Sequence, residues 1–227
     1  MIGCGVVRMN VQSLVWRKEP KVWREMEAEM PIINEYLNWR IFMVRFFVCF
    51  AAVLFAWMPN ASAAEFTLSS NDITSGEFMA KNQEFNGFGC SGGDQSPHLA
   101  WSNAPEGTKS FAVTVYDPDA PTGSGWWHWQ LVNIPVNIAE LASGAGDAGG
   151  SKAPVGSVHV ANDYGGKSFG GACPPQGHGV HRYRFTVHAL SVEALDLPEN
   201  ASGALAGYMI NANALATSTL EVLYQRD

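Results

Sequence analysis

Charge is scarce in this chain. Only 15% of its 227 residues are charged, and 14 Lys and Arg stand against 21 Asp and Glu, for a formal net charge of −7. A broad phosphate-backbone footprint needs a basic face, so general nucleic-acid binding is not expected. Any bound anion must be held by a local site, against the global field. Cysteine is sparse too, with four residues. No His-Glu-x-x-His metalloprotease motif occurs, and no internal repeat is visible. Long apolar runs are also missing. The uncharged stretch Phe46 to Met58 is too short for a comfortable membrane span. What is abundant is hydrophobic residues, at 47%, which rules out a disordered polar chain.

The short apolar stretch has a context. Met43-Val44-Arg45 precedes it, and Pro59-Asn60 and Ala61-Ser62-Ala63 follow. A positive start, an apolar run and small residues spaced A-x-A form a secretory signal pattern, with a buried core helix as the alternative. The expected cut follows Ala63, or else Ala64. Residues 1–42 then read as a wrongly extended start, or as a real extension with an uncleaved membrane anchor; the first is preferred. Residues 43–63 would be the signal peptide and residues 64–227 one domain, periplasmic or secreted. Of the cysteines, Cys90 and Cys173 fall in that domain. An even count in an exported protein points to one disulfide, with two buried free thiols as the alternative. Their spacing does not resemble a zinc site.

The domain reads mainly as strands. Ser110–Tyr116 alternates Phe111, Val113 and Val115 against Ala112, Thr114 and Tyr116. Trp129–Ile134, Tyr183–Leu190 and Thr219–Tyr224 are further short runs, separated by Gly, Pro and Asn. This pattern predicts an antiparallel sandwich or barrel. Leu205, Met209, Ala212 and Ala216 lie at helical spacing after Pro198, which predicts one C-terminal helix packed through that stripe. Gly144–Gly150 and Gly165–Gly171 read as surface loops or turns.

Chemistry-bearing residues cluster in three places. Tyr116-Asp117-Pro118-Asp119-Ala120-Pro121 leaves a strand as a stiff turn, and Ala120-Pro121 is a candidate cis bond. His128 lies in Trp126-Trp127-His128-Trp129, and Gly179-Val180-His181-Arg182-Tyr183 opens another strand. Asp119 reads as a backbone cap. Arg182 reads as an anion ligand or as a salt-bridge partner. Together these residues predict a small polar pocket at one end of the sandwich. Two histidines can donate to an anion, a carboxylate can hold their tautomer or charge, and aromatic walls strengthen the bonds.

These residues carry a resemblance. Asp117-Pro118-Asp119-Ala120-Pro121, Trp126-x-His128-Trp129 and Val132-Asn133-Ile134 are similar to the first signature of the phosphatidylethanolamine-binding proteins. Gly179-Val180-His181-Arg182-Tyr183-x-Phe185 resembles the second. Ser96-Pro97-x-Leu99-x-Trp101, Pro105-x-Gly107 and Ser110 extend the match upstream. Phe88-Gly89-Cys90, Gly171-Ala172-Cys173-Pro174-Pro175 and Gly203–Asn213 resemble the exported bacterial, Raf-kinase-inhibitor-like branch. The resemblance implies a β-sandwich of antiparallel sheets with short peripheral helices. It also implies a cavity for phosphate, acetate or a phospholipid headgroup. By position, Asp117, His128, Pro175, His181 and Tyr183 would line the cavity. Asp119 and Pro121 would shape its floor, and Trp126 its wall. Trp127 stands where lipid-linked members often carry His. Tyr208 and Tyr224 are candidates for a tyrosine at the pocket mouth. A homodimer is also implied.

The leading expectation is a non-enzymatic binding protein without cofactor, taking an anionic group of a small molecule, headgroup or protein partner. The alternatives are a partner inhibitor and a metal-dependent enzyme or hydrolase. Asp117, His128 and His181 could form a two-histidine, one-carboxylate metal site. Ser124 and Ser168 sit in glycine-rich loops, and nothing marks either as an activated nucleophile. Intact-mass analysis of the exported protein should place its N-terminus at Ala64 or Glu65. Finding residues 1–42 on that protein would reject the late start.

Overall fold

The computed structural model describes residues 64–227; the expected signal peptide and the leader before it lie outside the described residues. Ten strands follow in chain order: β1 (Thr67–Ser69), β2 (Asn86–Gly87), β3 (Cys90–Ser91), β4 (Leu99–Ser102), β5 (Ser110–Asp117), β6 (Trp126–Pro135), β7 (Glu140–Leu141), β8 (Val158–His159), β9 (His181–Leu190) and β10 (Ala214–Tyr224). One α-helix, α1 (Gly203–Asn213), precedes β10, and a 3-10 turn covers Lys81–Gln83. The main sheet has the order β10-β9-β5-β6-β8, a second sheet β1-β4-β7, and β2-β3 is a small hairpin. All of these pairs are antiparallel.

Central strand β5 is buried on both faces, and its alternation explains why. Phe111, Val113 and Val115 point into the larger core, with Trp129, Leu131, Phe185 and Val187 beside them and Leu68, Leu99 and Trp101 from the second sheet. Ala112 points the other way, into a smaller core with Val132, Leu190, Ala206 and Ile210. A strand with apolar contacts on both sides reads as a continuous buried run rather than an alternating one. The strands extend further than their apolar runs predict. Trp126-Trp127-His128 belongs to β6, and β10 begins at Ala214.

The C-terminal helix forms, but the predicted face is wrong. Ser202 caps it, accepting from the Leu205 N–H at 3.2 Å. Its buried residues are Gly203, Ala206, Gly207 and Ile210, whereas Leu205 is exposed and Ala216 lies in β10. The cause is Trp127. A Cβ at Gly203 would sit 2.6 Å from the Trp127 ring and one at Gly207 3.3 Å, so the helix carries glycine where it crosses that ring, while Ala206 and Ile210 fill the smaller core. Of the predicted stripe within the helix, Met209 packs on the smaller core and is partly buried, while Leu205 and Ala212 are exposed. The glycine-rich loops are also less superficial than predicted, since Gly144, Ala145, Gly146, Phe169 and Gly170 are buried.

The two ends of the domain meet. Gly76 N–H donates to Glu221 O at 2.8 Å, Met79 N–H to Leu223 O at 2.9 Å and Leu223 N–H to Glu77 O at 2.9 Å. The segment before the first 3-10 turn thus pairs with β10. Among the described residues no helix is long and apolar enough to cross a membrane.

One buried histidine sets an acid limit. His188 on β9 is 8% exposed; its Nε2 lies 3.1 Å from Thr114 Oγ1, and its Nδ1 has no partner. Burial lowers its pKa from an ordinary 6.5 to about 4. The unfolded chain takes up this proton first as pH falls. Stability should therefore be intact above about pH 6.5 and decline between about 6.5 and 4, by up to about 3 kcal/mol from this residue. Urea midpoints across that range should fall less steeply for His188→Gln; equal slopes would remove His188 as the cause.

Candidate functional site

A one-residue irregularity in strand pairing builds the site. Val115 pairs with Trp129, but the next residue, Tyr116, pairs with Trp127, and Asp117 with Trp126. Strand β6 therefore carries one extra residue, His128. A bulge of this kind re-aims the side chains beyond it. Trp129 faces the large core, and Trp127 turns to the opposite face, 4.6 Å from the Tyr116 ring. His128 and Trp126 both line a cavity at this end of the sheet. Strict alternation would have put His128 opposite Trp129.

The turn after β5 is held by its own carboxylates. Asp117 Oδ1 accepts the Asp119 N–H at 2.8 Å. Asp119 accepts from Arg182 three times: from the backbone N–H at 2.9 Å, Nε at 2.9 Å and Nη2 at 2.6 Å. These bonds to Arg182 hold the Asp119 carboxyl at about 2. Asp119 is thus a backbone cap and salt-bridge residue, and Arg182 is its partner; neither is a lining residue. Ala120-Pro121 is trans, as no cis peptide bond occurs among the described residues, contrary to the expectation. The side-chain closure at Asp117 makes the turn without one.

Asp117 also reaches the second motif. Its Oδ2 accepts from His181 Nδ1 at 2.7 Å, and both side chains are only 2% exposed. In that bond His181 Nδ1–H is the donor, since the carboxylate can only accept. The other nitrogen, Nε2, lies 2.7 Å from Nδ1 of His178, a residue of the exposed loop before β9. Both nitrogens of His181 are therefore engaged. His128 is arranged differently. Its Nδ1–H donates to Gly170 O at 2.7 Å and Gly171 O at 3.1 Å, leaving Nε2 with a lone pair. Burial lowers its pKa, only partly offset by the carbonyls and Asp117, so the ring is neutral near pH 7. The carbonyls can approach because the backbone there has no room for side chains. A Cβ at Gly171 would lie 2.4 Å from Gln83 O.

The cavity has a volume of about 300 Å³. Of the expected residues it brings together Asp117, Pro121, Trp126, His128, Pro175, His181 and Tyr183. Two donors in its wall are buried without a partner, Trp126 Nε1 and the Tyr183 hydroxyl. Burial, and then the neighbouring Asp117 charge, push the Tyr183 phenol well above its usual range. It stays a neutral donor beside that carboxylate, without a hydrogen bond of normal geometry to it. Cys90 and Cys173 are joined in a disulfide that ties the β2-β3 hairpin to the loop carrying Pro174 and Pro175.

Several lining residues escaped the sequence reading: Phe88, Thr122, Tyr164 and Arg226. Neither proposed mouth tyrosine reaches the cavity. Tyr208 is 69% exposed on α1, and the Tyr224 hydroxyl donates to Glu84 Oε2. Tyr164, from a glycine-rich loop, stands there instead, stacked on Phe85 at 4.0 Å and edge-on to Trp126 at 5.2 Å. Gly166-Lys167-Ser168-Phe169-Gly170 has the Gly-x-Ser-x-Gly spacing of a nucleophile elbow. It lies in a loop with no strand before it and no helix after it, and Ser168 is not a lining residue. Among the described residues no three His, Cys, Asp or Glu side chains are grouped to hold a metal ion.

The chain belongs to the phosphatidylethanolamine-binding protein family, whose model matches residues 69–225. It is 54% identical over 166 residues to the UPF0098 protein YbcL of Escherichia coli, covering 73% of this chain and 91% of YbcL. It is 46% identical over 157 residues to E. coli YbhB, covering 69% and 98%. The crystal structure of E. coli YbcL, described as a new member of the mammalian PEBP family, superposes with a TM-score of 0.71, covering 72% of this chain and all of that one. The homolog CT736 from Chlamydia trachomatis gives 0.60 at 28% identity, over 73% of this chain and all of that one.

Removing the Asp117 charge tests the arrangement. Asp117→Asn should free the His181 ring from its fixed tautomer and lower stability by about 2 kcal/mol, as a charged hydrogen-bond acceptor is lost. Ring nitrogen shifts should change at His181 and stay at the Nδ1–H tautomer for His128. Unchanged His181 shifts with an unchanged urea midpoint would show that the pair is incidental.

Proposed function

We propose that this protein is a non-enzymatic binding protein, exported to the periplasm or secreted, whose cavity takes the anionic group of a small molecule or phospholipid headgroup. The family takes its name from binding phosphatidylethanolamine. The observation that carries the reading is the pair of unpartnered donors, Trp126 Nε1 and Tyr183 O–H, in the wall of one cavity. A buried donor without an acceptor costs about 1 to 3 kcal/mol. An oxyanion in the cavity would offset that cost at both.

The other lining groups favour binding over covalent chemistry. Thr122 Oγ1 is committed to Gly125 O at 2.5 Å, and Cys173 is in the disulfide. No hydroxyl or thiol there is paired with a base. Export would also keep the cavity away from cytoplasmic kinases, so kinase inhibition forms no part of this reading.

The site binds an anion with a proton. His128 is neutral when the cavity is empty, and a nearby negative charge favours its charged form. Binding of glycerophosphoethanolamine, a phosphodiester whose phosphate keeps one negative charge throughout this range, should therefore take up a proton and tighten as pH falls from about 8 toward 6. Calorimetry in buffers of different ionisation enthalpy measures this uptake. His128→Ala should weaken binding roughly ten- to a hundredfold. Trp126→Phe, which removes a single N–H, should weaken it by up to about tenfold. Titration with inorganic phosphate separates a headgroup preference from a phosphate one. Unchanged affinity in both folded variants would place the ligand elsewhere.

A further inference from the structure

The histidines have drawn attention from the cavity's one full cation. Arg226, the penultimate residue, is the sole Lys or Arg among the lining residues. Its Nη2 donates to Gly89 O at 2.8 Å and its Nη1 to Pro174 O at 3.4 Å. Its backbone carbonyl accepts the Gly177 N–H at 3.0 Å, which fastens the chain end to the loop before β9. No carboxylate lies within salt-bridge distance of it among the described residues. Nη1 also lies 3.6 Å from Cys173 Sγ. Neutral acceptors orient a guanidinium without cancelling its charge, and of its five donors at least two remain for a ligand. The two carbonyls are not arbitrary. Gly89 precedes Cys90, Pro174 follows Cys173, and the disulfide joins those cysteines.

We propose that Arg226 is the charged contact for the bound oxyanion, and that the Cys90–Cys173 disulfide completes the site by fixing the two carbonyls that aim its guanidinium. The proposal rests on the anion-binding reading above. Ligand affinity then depends on the redox state of a bond that touches no ligand. Reduction would remove the covalent tie and loosen the two carbonyls that aim Arg226, although the bonds from Phe85 N–H to Ala172 O and from Ala172 N–H to Gln83 O, both 3.0 Å, would still hold the neighbouring segments together. The neutral donors Trp126 and Tyr183 would remain, so binding would weaken rather than vanish.

Arg226→Gln, Arg226→Lys, the pair Cys90→Ser/Cys173→Ser, and that pair combined with Arg226→Gln separate these roles. The probes are inorganic phosphate and glycerophosphoethanolamine, titrated into the full mature protein at several salt concentrations. Arg226→Gln should weaken phosphate binding at least tenfold and flatten its salt dependence. Arg226→Lys should keep the salt dependence and recover part of the affinity, since it keeps charge without the fork. The serine pair should weaken binding several-fold, and adding Arg226→Gln to it should cost far less than in the oxidised protein. This non-additivity is the signature of one residue acting through another. If the serine pair fails to fold, the two Arg226 variants decide the charged contact. The disulfide's role is then read on wild-type protein with its cysteines reduced and alkylated under native conditions. Wild-type binding with an unaffected Arg226→Gln sinks this proposal alone; wild-type protein that binds neither probe sinks the anion-binding reading with it. Additive losses would leave Arg226 a contact but overturn its dependence on the disulfide.

Discussion

The Asp117 carboxylate is the joint on which the site is assembled. One oxygen closes the turn after β5, and the other holds the ring of His181 at the start of β9. These strands are neighbours in the main sheet, yet the two residues are 64 positions apart in sequence. A buried carboxylate needs such donors to stay charged without water. The need runs both ways, since the donors it collects are the turn and the ring whose positions define the cavity. Asp119 repeats the arrangement on the outside, where Arg182 answers it.

Much of this was legible from residue order alone. The strand runs and the antiparallel class follow from alternation, and the convergence of Asp117, His128 and His181 from two motifs that resemble the family's signatures. The bulge did not follow, because an extra residue in one strand is a property of pairing and not of either strand's composition. Without it His128 would be assigned to the wrong face. The helix face was misread for a related reason. Large apolar residues usually mark a buried stripe, but contact with Trp127 selects glycine at 203 and 207, which carries no such signal. Arg226 and Tyr164 lie outside both motifs. Only the cysteines could have pointed to Arg226, because its carbonyl partners are their immediate neighbours.

Burial is distributed unevenly around this joint. The large core between the sheets is continuous and aromatic, while the smaller core beneath α1 is aliphatic, with Val132, Leu190, Leu195 and Ile210, and Trp127 lies against the helix glycines beside it. The tryptophan at position 127 therefore serves the helix, and its neighbours at 126 and 128 serve the cavity. Three consecutive side chains of one strand thus divide between two structural tasks, and the bulge is what permits the division.

The meeting of residues 76–79 with 221–223 bears on how the domain is made. A final strand that pairs with residues near the start of its own domain gains these contacts only once it has been made. Its closing contacts span nearly the whole domain, and topologies dominated by such distant pairings fold slowly. The last turn of ribosomal work then becomes the step that permits closure.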